Sequence, residues 1–255
     1  MLAAFRHHPN MGVTDLARRT GLLPSDVHRI LSSLRPYGFV EQNPQNRTYR
    51  LGVGLMKLGL TAFQRHELRE AARPLLQRLS EELDATAHLA ILDLRELDIF
   101  LAEQIDYSRE VPFQAKFGAS AAAHCTALGK AIIASIPWDI ASTFLEKHGM
   151  LRVAPNTITE VSSLKSDLRR SAGRGYGLDI EESAKGACCV GAPIRGGDGE
   201  VVGAISISMR SSRYHRLPEQ SIATPVQAAA RQLSAVISTD GSFSADLADF
   251  LSPDR

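Results

Sequence analysis

The chain has 255 residues, 44% of them hydrophobic and 22% charged, with a formal net charge of +1. That length exceeds the usual single domain and that composition is globular, which excludes a fibrous or low-complexity chain and favours two domains. No apolar run approaches a membrane span and no signal-peptide pattern opens the chain, so a cytoplasmic protein with no membrane partner is expected.

The near-zero net charge hides an asymmetry. Up to residue 66 the chain carries nine basic side chains against three acidic ones, a net +6, while the remainder is −5. A basic head on a mildly acidic body suggests a polyanion-binding module attached to something else. In the head, Thr14 reads as the N-cap of a short helix over 15–19, closed by Thr20-Gly21. A second helix begins near Pro24 or Ser25, with Val27, Ile30, Leu31 and Leu34 at i, i+3, i+4, i+7 as one apolar stripe. Its outer face carries Ser25, Asp26, His28 and Arg29. Residues 39–42 and 47–51 read as two strands around the Asn43-Pro44-Gln45-Asn46 turn, placing Arg47 at the turn and Arg50 on the outer side. Helix, turn, helix and wing together predict a winged helix-turn-helix for double-stranded DNA. Base readout falls to Ser25, Asp26, His28 and Arg29, and phosphate contact to Arg47 and Arg50. Residues 52–66 continue with Leu55, Met56, Leu58, Leu60 and Phe63, too apolar for a free linker. They predict a helix buried against something, such as its own copy in a dimer.

In the body, 67–83 is a helix with Leu68, Ala72, Leu75, Leu76, Leu79 and Leu83 on one side. Residues 88–92, 98–105 and 111–117 read as strands, and 126–135 as a helix that Ala123-His124-Cys125-Thr126-Ala127-Leu128 opens. The first backbone N–H groups of a helix lack partners within it, and small residues at Thr126 and Ala127 leave room for an anion. Lys130 reads as a surface residue. Helices are expected over 137–148, 162–172 and 219–237, and a polar, poorly ordered tail over 239–255. Strands in the middle with helices at both ends indicate an α+β domain on an antiparallel sheet.

The stretch 173–209, GRGYGLDIEESAKGACCVGAPIRGGDGEVVGAISISM, reads as a loop followed by two strands, 188–195 and 200–209. Gly196-Gly197-Asp198-Gly199 is the hairpin turn. A four-residue loop there pairs Arg195 with Glu200 and Cys189 with Ser206. Alternation puts Ser206 and Ser208 on one face with Cys189 beside them, and Asp179 offers a carboxylate to the same region. A thiol and two hydroxyls on an apolar hairpin either satisfy one another or line a polar pocket. Three cysteines, two of them adjacent, cannot build a disulfide framework, and neither CxxC nor HxxxH occurs, so no metal and no cofactor is expected. A Cys-dependent enzyme using Cys125, Cys188 or Cys189 with His124 is the weaker alternative, because no third group orients the histidine. A DNA-binding dimer whose body only oligomerises is another.

The segments TDLARRTGLLPSDVHRILSSLRPYGFVEQ, RTYRLGVGLMKLG, HCTALGKAIIA and GYGLDIEESAKGACCVGAPI together resemble the IclR family of bacterial transcriptional regulators. The resemblance runs from about residue 1 to 237. It implies a winged helix-turn-helix (1–51), a linker helix (52–66), a GAF-like effector-binding domain with an antiparallel sheet flanked by helices (67–238), and a tail (239–255). It further implies a homodimer or tetramer, commonly a repressor, that senses a small organic acid or aromatic catabolite and is not an enzyme. The effector positions it implies are Thr126, Ala127, Leu128, Asp179, Cys189, Ser206 and Ser208. Val111 and Phe113 are expected as the apolar wall, and Asp179 is expected to repel a second carboxylate. Asp26 departs from the family's usual Thr or Ser; an acid there repels phosphate but can accept from cytosine.

Overall fold

The computed structural model describes residues 1–6, 8–64, 67–93, 98–106 and 123–240. The chain divides into two compact units, Met1–His66 and Glu67–Arg255.

In the first unit a 3-10 turn, Leu2–Arg6, precedes α1 (Val13–Thr20) and α2 (Pro24–Leu34). The start of α1 differs from expectation: Gly12 is the N-cap, with no side-chain cap, and Thr14 lies inside the helix. The cause is Met11, held extended by two hydrogen bonds to Tyr49, so that the chain enters the helix directly afterwards. On α2, Val27 and Leu31 are fully buried while Ile30 and Leu34 are half-buried. Val27, Leu31 and Leu34 join Phe5, Met11, Leu16, Ala17, Val40 and Tyr49 in one small core. The wing is β1 (Val40–Gln42) paired antiparallel with β2 (Tyr49–Leu51), with Glu41 opposite Arg50. The helix α3 (Val53–Gln64) follows, and its Val53, Met56, Leu58 and Leu60 are each at least half exposed.

The second unit runs α4 (Glu67–Leu83), β3 (Thr86–Asp93), β4 (Asp98–Ile105), α5 (Ala127–Ile133), α6 (Trp138–His148), α7 (Val161–Arg174) and β5 (Gly177–Ile180). It continues with β6 (Ala187–Arg195), β7 (Val201–Arg210), α8 (Ser211–Tyr214) and α9 (Glu219–Asp240). The five strands form one antiparallel sheet in the order β4-β3-β7-β6-β5. The α5 helix packs on β5, β6 and β7. Its core continues through Ile140, Phe144, Leu164 and Leu168 of α6 and α7. Helices α4 and α9 pack on each other and on the sheet. By alternation, Val190, Ile205, Ile207, Ala87 and Leu89 point away from the α5 side, and all are buried. No helix among the described residues is long and apolar enough to cross a membrane.

Two expectations are corrected here. The segment before the hairpin is not all loop, since Gly177–Ile180 forms the edge strand β5 against β6. The hairpin register also differs: Cys189 pairs with Ser208 and Gly191 with Ser206, while Arg195 pairs with Val201. Two single-residue offsets produce this. Gly196, in place of Arg195, meets Glu200 (Gly196 N–H to Glu200 O, 2.9 Å), with Gly199 at φ 80 closing a shorter loop. A further irregularity falls between Ile194 and Arg195. Each offset alone would turn a side chain to the other face, and two restore it. The expected strand over 111–117, including Val111 and Phe113, and the tail beyond 240 lie outside the described residues.

Candidate functional site

Strand register assembles one polar face. A row across the sheet reads Asp179, Cys189, Ser208, Thr86, and the adjacent row reads Gly177, Gly191, Ser206, His88. Directly opposed residues share a face, so the sequence-predicted Cys189, Ser206 and Ser208 do lie together. Sequence reading missed Thr86 and His88, although two polar residues two apart at the start of an apolar strand were the available signal. All six side chains are buried. Cys189 Sγ and Ser208 Oγ are hydrogen-bonded at 3.0 Å. Thr86 Oγ1 and His88 Nε2 are buried with no hydrogen-bond partner among the described residues. Burial drives the His88 pKa down to about 4, against the raising influence of Asp106, so the ring is neutral at pH 7.

The start of α5 is laid directly on this face. An added Cβ at Gly191 would stand 2.8 Å from Ala127 C and O and 3.1 Å from Leu128 N, and one at Gly177 would stand 2.5 Å from Ala127 O. Only glycine admits so close an approach of helix to strand. Thr126 is the N-cap, its hydroxyl accepting from Gly129 N–H at 3.1 Å, and Ala127 and Leu128 form the first turn.

The expectation that Lys130 is a surface residue is overturned, because every residue of α5 is buried, Lys130 completely. The lysine Nζ is 2.9 Å from Asp167 Oδ2 and 2.5 Å from Glu182 Oε1. Helix geometry explains this: Lys130 stands one turn into a helix covered on all sides, and its ammonium reaches past the apolar core to two carboxylates. Desolvation pushes Asp167 up, but Lys130, Arg170 and Arg174 outweigh it and hold the carboxyl below its usual range. Glu182 is raised by burial, with Lys130 opposing and Asp179 and Asp167 adding to the rise. Asp179 lies in the expected row, but its carboxylate serves its own loop. It accepts from Glu182 N–H (2.8 Å), Ser183 N–H (3.2 Å) and the Ser183 hydroxyl.

Burial disfavours the thiolate at all three cysteines, pushing Cys125 up to about 12 and Cys188 to about 11 and raising Cys189 well above its usual value. His124 donates Nε2–H to Leu151 O at 3.0 Å. Among the described residues no cluster of three His, Cys, Asp or Glu could hold a metal.

In the first unit, Ser25, His28 and Arg29 are exposed at the start of α2 and Asp26 is half-buried. Arg29 donates to Asp26 at 3.1 Å, one turn apart on the same helix face. Arg47 stands exposed at the wing tip with φ 56, while Arg50 donates Nε and one terminal nitrogen to Glu41 at 3.0 and 2.7 Å.

A helix-turn-helix with a β-hairpin wing and a separate α+β unit with a buried polar face define the class: a DNA-binding module carried with a second domain. Residues 1–44 match the family model for the IclR helix-turn-helix domain, and residues 60–235 match that for the bacterial transcriptional regulator IclR C-terminal domain. The chain is 32% identical over 201 residues to the HTH-type transcriptional regulator XynR of Escherichia coli K12, covering 79% of each chain. The crystal structure of Thermotoga maritima IclR superposes with a TM-score of 0.66 at 24% identity, over 90% of this chain and 92% of that one. An IclR homolog from Microbacterium hydrocarbonoxydans, solved in complex with 4-hydroxybenzoate, superposes at 0.68 with 21% identity, over 91% and 93%. The chain belongs to the IclR family. It is a DNA-binding transcriptional regulator.

Proposed function

We propose that this regulator is a repressor that binds its operator as a homodimer or tetramer in the cytoplasm and is switched by a small organic acid. The reading treats residues 1–51 as the DNA module, 52–66 as the linker helix and 67–238 as the sensor. The acid group lies against Thr126, Ala127 and Leu128, and the remaining polar atoms of the ligand meet Cys189, Ser206 and Ser208. The observation that carries it is the pair of buried serine hydroxyls beside a thiol, on the face where the first turn of α5 touches the sheet. Cys189 and Ser208 bond one another, but the same face also buries polar atoms with no partner among the described residues, which is costly in a core unless something bonds them. The 4-hydroxybenzoate held by the Microbacterium homolog supports an acid as the ligand class. Asp179 contributes by shaping the loop at 181–186 rather than by repelling the ligand directly. A ligand can shift DNA binding only by its differential affinity for the two states of the protein.

Calorimetric titration of small aliphatic and aromatic carboxylates tests the sensor. The double variant Ser206→Ala, Ser208→Ala should bind the best acid on the order of tenfold or more weakly, from the loss of hydrogen bonds to a charged ligand. Unchanged affinity would remove both serines from the site.

For the DNA module, Arg29→Ala should cost about 1–3 kcal/mol of discrimination at one base position. Arg47→Ala should weaken specific and random DNA alike and lower the salt slope by about 0.9. Gel-shift titrations across salt concentration read both, and wild-type behaviour of both variants would unseat the assignment of helix and wing. The exposed Val53, Met56 and Leu60, at i, i+3 and i+7 on α3, support pairing of two copies on symmetric half-sites. One protomer per operator in the same titration would contradict it.

A further inference from the structure

The acid-binding reading leaves two buried polar atoms unused, Thr86 Oγ1 and His88 Nε2. Both belong to β3, and register sets them directly opposite Ser208 and Ser206 on the same face. We propose that Thr86 and His88 are the specificity-determining residues of the sensor, and that they bond a hydroxyl group on the far end of the organic acid. The inference rests on the proposed acid site and adds the chemical identity of the ligand's second polar group.

Geometry sets the length of that ligand. Gly191, which carries the first turn of α5, Ser206 and His88 are consecutive members of one row across three strands. Two strand spacings, about 9.6 Å, separate Gly191 from His88. A compact acid with its carboxylate at α5 and a hydroxyl pointing along the row reaches β3, whereas a two-carbon acid does not.

Chemistry selects the group. Among the described residues a second carboxylate finds no free cation on this face, because the imidazole is neutral and Lys130 already holds Asp167 and Glu182. An apolar end leaves Thr86 Oγ1 and His88 Nε2 buried and still unbonded, and a site built this way rejects the analogue that lacks the polar group. A hydroxyl both donates and accepts, so it satisfies the threonine hydroxyl and either tautomer of the ring.

The test uses matched acids titrated by calorimetry: benzoate against 3- and 4-hydroxybenzoate, and butyrate against 3- and 4-hydroxybutyrate. In the wild type, one hydroxylated member should bind about tenfold or more tightly than its parent. Thr86→Val and His88→Phe should each reduce that ratio, and together bring it close to one. Equal wild-type affinity for each parent and its hydroxylated form, or a ratio that survives in both variants, overturns the inference. If Ser206→Ala, Ser208→Ala still weakens all the acids, that failure leaves the acid site itself standing. Should no acid bind the wild type, the acid reading falls and this inference falls with it. A ligand-free measurement gives a second arm. Thr86→Val removes a hydroxyl that has no partner, so its melting temperature should equal or exceed that of the wild type. A melting temperature lower by several degrees would show that the hydroxyl is bonded in the folded core, and would overturn the assignment.

Discussion

Lys130→Met should lower stability by about 3–5 kcal/mol at pH 7, the cost of removing one partner from a buried ion pair. The lysine is 1% exposed and its two carboxylate partners 10% each, so water cannot take its place. The methionine fills much the same volume, which leaves charge as the main loss. The sign of the pH dependence separates charge from packing. In the wild type, the depressed Asp167 contributes stability that is present above its ordinary value of 3.8 and is lost as pH falls through its lower folded value. The raised Glu182 acts oppositely, since its ionisation costs stability as pH rises above 4.5. Without the ammonium both carboxyls move up and protonate sooner on acidification. The deficit of the variant should therefore shrink as pH is lowered from 7 towards 5, as read by urea unfolding. A deficit constant with pH would mean that Lys130 acts through its aliphatic stem alone. Glu182 also belongs to the turn that Asp179 organises, so the variant should loosen that loop and weaken acid binding as well.

Gly191→Ala should cost about 1–3 kcal/mol, because overpacking of backbone against backbone cannot be relieved by a rotamer change. The new methyl would sit 2.8 Å from Ala127 C and O, so β6 and α5 must move apart. For a unit of this size a loss of 2 kcal/mol lowers the melting temperature by roughly 4–8 °C. The functional effect should exceed the thermal one. Separation withdraws Ala127 and Leu128 from Ser206, the neighbour of Gly191 in register, and acid binding should fall on the order of tenfold or more as hydrogen bonds to the ligand are lost. Wild-type melting together with wild-type acid affinity would show that the first turn of α5 does not build the site.

Much of this was readable from residue order. The stripe of α2 and the Gly-rich turn of the β6–β7 hairpin are local signals, and local backbone geometry answers them. The polar face survived a wrong register because the αL glycine at 199 and the irregularity at Ile194 each shift pairing by one, and parity depends only on their sum. The edge strand β5 was not readable, since four residues beginning in Gly177 and containing Asp179 carry too little pattern. Lys130 misled for a similar reason: composition makes a lysine a surface residue, and only its neighbours can reverse that.

The sequence by itself determined the basic head, its winged helix-turn-helix, the hairpin with cysteine and serines sharing a face, and the family resemblance that the comparisons bear out. Each depends on spacing within a helix or strand, where covalent geometry alone says which side chains align. Only the tertiary structure decided where Lys130 puts its charge, which atoms Asp179 serves, and that Thr86 Oγ1 and His88 Nε2 have no partner among the described residues. The partners of Lys130 lie 37 and 52 residues away along the chain. No periodicity encodes such pairings; they follow from how the sheet stacks its strands and how closely α5 settles on two glycines.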